Sequence, residues 1–126
     1  MEDSFKSVKT TSESDTYNCN YLNGIIESDT NENGRYIKLI DGTLICYNIV
    51  PATYANTNTW YEVITDFAYD FISYPNVTLT VRESGNRTIN VTYYHYFTNR
   101  IGIKYNSQNN AGGTSNISYI AIGRWK

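Results

Sequence analysis

YIKLIDGTLICYNIV, residues 36–50, is two runs of apolar and β-branched residues hinged on Asp41-Gly42. Asp-Gly between apolar runs is the strongest short-range signal for a β-hairpin. Pro51 is expected to stop the second strand, because proline cannot donate to a sheet ladder. The rest of the chain continues in the same style. Residues 76–83, NVTLTVRE, alternate cleanly, with Val77, Leu79 and Val81 on one side and Asn76, Thr78, Thr80 and Arg82 on the other. After the turn at Ser84-Gly85-Asn86 comes a long candidate strand, RTINVTYYHYFT (87–98). RIGIKYN (100–106) follows, with Ile101, Ile103 and Tyr105 on one face. The last candidate, NISYIAIGRW (116–125), has apolar residues on both faces. Between hairpin and alternating strand lies WYEVITDFAYDFIS (60–73), for which Trp60, Val63, Phe67 and Phe71 are the expected anchors. Strands at such short spacing predict an all-β fold, an antiparallel β-sandwich of six to seven strands.

Composition supports this reading. The 126 residues include 16 Asn, 15 Thr, 10 Ser and 13 Tyr, but only 4 Leu and 5 Ala, so strand formers outweigh helix formers. A net charge of -2 gives no basis for nucleic acid as the main partner. No apolar run is long enough to span a membrane as a helix. Residues 1–33 are polar, with a brief apolar group at Tyr21, Leu22, Ile25 and Ile26. They are expected to form a neck carrying one short docking element, with the sandwich domain occupying 34–126. Cys46 lies in an apolar run and is expected to be a buried free thiol; Cys19 lies in a polar one.

Catalytic patterns are sparse. There is no nucleophile elbow, no metalloprotease motif and no glycine-rich phosphate loop. His95 is the single histidine and has no neighbouring cysteine, so no metal and no cofactor is expected. Asp66 and Asp70 are the one carboxylate pair worth testing for glycan cleavage, and the expected answer is that the chain is not an enzyme.

What remains is binding. The segments 52–60 and 106–115 are long and polar, carrying Asn, Gln, Tyr and Trp. Neutral sugars are held by amide and hydroxyl hydrogen bonds and an aromatic plate. The second apolar face of the last strand, and the tyrosines of 87–98, point to a sheet that packs on another subunit.

Three stretches carry a resemblance. NGRYIKLIDGTLICY, SNISYIAIGRWK and the neck-like ESDTYNCNYLNGIIES together resemble C-terminal receptor-binding domains of bacteriophage tail fibres. The region is also similar to H-type lectins, six-stranded sandwiches that form trimers and bind galactose-type sugars. In those lectins an Arg at the start of the long strand contacts sugar, and Arg87 matches that position. Their Trp-His pair aligns near Gln108 and Asn109, and their acidic ligand near Asn56, so those side chains differ here. The resemblance implies a homotrimeric fibre tip on the virion that attaches to bacterial surface glycan. Its expected ligand contacts are Tyr54, Asn56, Trp60, Arg87, Gln108 and Asn109. Trp60 could equally serve the core, and Arg87 a salt bridge between subunits. The other readings are a non-binding trimerisation cap and a stand-alone lectin module.

Overall fold

The computed structural model describes residues 24–83, 85–109 and 112–126. Cys19 and the neck before residue 24 lie outside the described residues. Eight strands follow in order: β1 (Ile25–Asn31), β2 (Gly34–Leu39), β3 (Thr43–Thr53), β4 (Tyr61–Asp66), β5 (Asn76–Arg82), β6 (Ile89–Tyr96), β7 (Arg100–Ser107) and β8 (Thr114–Arg124). They make two antiparallel sheets, β1-β2-β3-β8-β5 and β4-β7-β6. The architecture is an all-β sandwich. No helix among the described residues is long and apolar enough to cross a membrane.

The hairpin at Asp41-Gly42 forms as its sequence predicts. The Asp41 carboxylate accepts from the Thr43 N–H at 2.9 Å, and Gly42 N–H donates to the Leu39 carbonyl at 3.1 Å. The register then sets the faces. Tyr36 pairs with Cys46 and Lys38 with Leu44, and all four point inward. Ile37 and Leu39 therefore point outward, although a simple hydrophobicity count would have buried them in place of Lys38. Lys38 is accommodated because its ammonium donates to the Tyr69 hydroxyl at 3.1 Å and to Glu27 at 3.2 Å. It also lies 4.3 Å from the Tyr69 ring centroid and 4.6 Å from that of Trp125. A buried cation is tolerated when it is paired and faces aromatic rings.

Two boundaries differ from the sequence reading. β3 does not stop at Pro51; it runs on to Thr53, with Pro51 opposite Asn116 of β8. The β2 ladder has ended by then, its last partner on β3 being Tyr47, so the missing N–H of Pro51 faces an open edge. The second difference is β1. Residues 25–31, expected within the neck, pair with β2 as the outermost strand, and residue 34, the expected domain start, is the first residue of β2. All seven β1 residues are exposed, so hydrophobic alternation gives no sign of the strand. The turn depends on Gly34, whose φ is +113°; a Cβ there would lie 2.5 Å from the Tyr47 carbonyl oxygen.

The core lies between the sheets. Leu44, Cys46, Ala52, Ile117, Tyr119 and Ala121 face it from the larger sheet, and Ile101, Ile103 and Tyr105 from the smaller. Phe67 and Phe71, on the β4–β5 connection, meet edge-on at 5.1 Å and pack as the sequence predicts. Cys46 is a buried free thiol. Trp125 closes one end, its indole N–H donating to the Leu39 carbonyl at 2.8 Å.

Candidate functional site

The ladders define two ends. At one end Thr43 pairs with Arg124, Ile40 N–H donates to Gly24 at 2.9 Å, and Ile72 N–H donates to Arg124 at 3.0 Å. The described chain enters there. At the opposite end Thr53 pairs with Thr114, Tyr61 with Tyr105, and Ile89 with Ser107. All six residues singled out from the sequence lie at this second, distal end. Three connections converge on it, through residues 54–60, residues 83 and 85–88, and residues 108–109 and 112–113.

Backbone hydrogen bonds tie the three together. Asn58 N–H donates to Ser107 at 2.7 Å, Tyr54 N–H to Gly113 at 3.3 Å, and Gln108 N–H to Thr88 at 3.0 Å. The Asn109 amide spans two of them. Its oxygen accepts from Thr88 N–H at 2.7 Å and its nitrogen donates to the Asn86 carbonyl at 2.8 Å.

Arg87 is the central clamp. Its guanidinium pairs with Glu83 at 2.7 Å, donates to the Gly112 carbonyl and lies 5.4 Å from the Tyr54 ring centroid. The Arg87–Glu83 bridge lies within one chain. The close approach requires Gly113, with φ +74°; a Cβ there would collide with the guanidinium. Glu83 also accepts from Gly85 N–H at 2.9 Å, while its second oxygen is buried without a hydrogen-bond partner among the described residues.

The six residues thus divide by exposure. Tyr54, expected as a ligand contact, is fully buried instead. Its hydroxyl meets that of Ser115 at 2.6 Å and its ring meets Tyr105 edge-on at 5.4 Å, so it forms the floor of the end. Burial raises its pKa above the ordinary phenol value. Arg87 is largely occupied by its clamp. Asn56, Gln108 and Asn109 are exposed, and Trp60 is 52% exposed, which resolves its alternatives in favour of a surface residue. Asn56 is oriented by the Tyr61 hydroxyl, which accepts from its N–H at 2.9 Å.

Residues outside the expected set complete the site. Glu83, Ser115 and Asn116 line a shallow polar groove of about 470 Å³ together with Val81, Arg82 and Thr114. Opposite charges at 83 and 87 flanking a Ser-Gly-Asn turn are the one sequence signal that could have located this groove. Chemically the end offers neutral amides and hydroxyls, an exposed indole and a rigid floor. That set suits a neutral polyhydroxylated ligand.

Comparison with solved structures gives the fold. An N-truncated R1-type pyocin tail fibre superposes with a TM-score of 0.62 at 16% identity, covering 79% of this chain and 88% of that one. This chain shares its fold with that fibre fragment. A longer C-terminal part of the P. aeruginosa R1 pyocin fibre matches with the same TM-score of 0.62 and 16% identity, and the chain spans 29% of its length. No family model and no curated protein matches the sequence.

Proposed function

We propose that this domain is the receptor-binding tip of a phage-type tail fibre, a non-enzymatic homotrimer on the virion that attaches to bacterial surface carbohydrate. The observation that carries the reading is polarity along the molecule. The chain enters at the end holding Gly24, and the loops bearing Asn56, Trp60, Gln108 and Asn109 converge on the other. A fibre tip needs this layout, with its base toward the shaft and its recognition loops outward. The pyocin tail-fibre likeness supports the fibre part of the reading. Composition and the polar groove support the sugar part. Three copies side by side would present three like sites, and linked weak sites can raise avidity by roughly 10² to 10⁴.

The test is the Trp60→Ala, Gln108→Ala double variant, chosen because both side chains are exposed. Binding to host cells should fall at least about tenfold, with mass and circular dichroism unchanged, because loss at each site multiplies through avidity. Retained binding would leave the domain as a structural cap.

A further inference from the structure

A groove of about 400 Å³ crosses the outer face of the larger sheet, and no loop-end residue lines it. It follows one row of the ladder. Thr30 of β1 pairs with Arg35 of β2, Arg35 with Tyr47 of β3, and Tyr47 with Ile120 of β8. Residues opposite one another in a ladder share a face, so these four project outward together. Ile49 and Ser118, paired on the same face, line it beside this row.

The groove is graded from charged to apolar. On the β1 side stands the Arg35 guanidinium, the one charged group that lines it. Its Nη1 donates to the Thr30 hydroxyl and its Nη2 to the Ser28 hydroxyl, each at 3.2 Å. Both partners are neutral, and Arg35 has no carboxylate partner among the described residues. Two hydroxyls orient the guanidinium plane but use only part of its five N–H groups, so an edge remains free for an oxyanion. Toward β8 the lining turns apolar: Tyr47, Ile49 and Ile120 are 40%, 48% and 48% exposed. From Arg35 to Ile120 the row crosses two strand spacings, roughly 10 Å. The groove therefore has a cationic end and an apolar end a short chain apart.

We infer that this groove binds a small amphipathic carboxylate, a free acyl anion whose head pairs with Arg35 and whose tail lies over Tyr47, Ile49 and Ile120. Small-molecule sites combine an apolar lining with a few fixed polar groups, and the groove has that make-up. One unpaired cation and no lining carboxylate make it complementary to a single negative charge. The tail removes three large side chains from water, which an ion without a tail cannot do. A neutral sugar would leave the guanidinium without a counter-charge and set hydroxyls against isoleucines. The site is separate from the loop end and does not rest on the receptor reading.

The experiment titrates the full chain with octanoate, octanol, acetate and glucuronate, followed through backbone amide shifts by NMR. Octanoate should saturate at roughly millimolar concentration or below, with the largest shifts at Arg35, Ile49 and Ile120. Octanol lacks the charge and acetate the tail, so each should bind at least about tenfold more weakly. In Arg35→Gln, octanoate should bind no better than octanol, whereas Arg35→Lys should keep part of the preference. Ile120→Asp, which sets a negative charge at the tail end, should remove octanoate binding. Circular dichroism and unshifted β7 amides check that each variant folds. The inference is overturned if octanoate does not saturate or shifts amides elsewhere. It is equally overturned if acetate or glucuronate binds as well as octanoate, or if Arg35→Gln still prefers octanoate to octanol. Cell binding by Trp60→Ala, Gln108→Ala judges the receptor reading separately, whatever octanoate does.

Discussion

Arg87 shows how one side chain can hold a loop end together. It joins Glu83, the Gly112 carbonyl and the Tyr54 ring, and so couples three connections. Arg87→Ala would leave the Glu83 carboxylate poorly solvated and unpaired. The expected cost is about 1–3 kcal/mol, read from urea denaturation, and Arg87→Lys should recover only part of it. Cys46 makes a second residue-scale prediction. Burial pushes its thiol up to about 11 from an ordinary 9.0. The Tyr36 hydroxyl, donating to Glu27, is held up at about 12. Above pH 9 the unfolded chain loses these protons while the native chain keeps them. Stability is therefore fully present below about pH 9 and falls as pH rises toward 11 and beyond. Urea midpoints measured across that range should decline, and less steeply in Cys46→Ala.

At the scale of elements, β1 is the informative case. No inward apolar row holds it. It is fixed by the ladder to β2 and by Glu27, which accepts from the Tyr36 hydroxyl at 2.5 Å and from Lys38 at 3.2 Å. The Tyr36 and Lys38 hydrogen bonds lower the Glu27 pKa. That contribution is present above the ordinary carboxylate range and is lost as pH falls through and below it. Gly34→Ala forbids the β1–β2 turn geometry, at a cost of about 1–3 kcal/mol. Hydrogen exchange should show β1 amides losing protection in that variant while β7 and β8 stay protected. These features explain what the sequence discloses. The 36–50 hairpin, β5 and the inward row of β7 were legible because alternation and turn chemistry are local. β1 was not, because its stabilisation comes from partners on β2. The division of strands between sheets was not either, since β5 leads by a short turn into β6 but pairs with β8. At the site, loop composition picked six residues that the fold gathers at one end. It could not separate Tyr54, which forms the floor, from Trp60, which faces solvent, because both are aromatic residues flanking the same loop.

At the scale of the whole molecule, Gly24 lies at one end, the loops lie at the other, and Tyr47, Ile49, Ile120 and Ile122 stand exposed on the outer face of the larger sheet. The proposed contacts Asn56, Trp60, Gln108 and Asn109 are uncharged, so on the proposed reading the recognition is not ionic. Cell binding should therefore change by less than about twofold between low and high salt, whereas a charge-driven contact would weaken steeply. A steep loss on adding salt would point to a charged receptor instead of a neutral glycan.

The position of β8 bears on synthesis. It lies between β3 and β5 in the larger sheet yet follows both in the chain. A ribosome delivers those two strands with no neighbour to join them, and the sheet closes only when β8 emerges. Folding is thus deferred by topology, since pairings distant in sequence form slowly. A premature stop before β8 would release a polypeptide with two bare, apolar edges, an aggregation hazard. Loss of the last strand should consequently abolish soluble protein, not merely trim it.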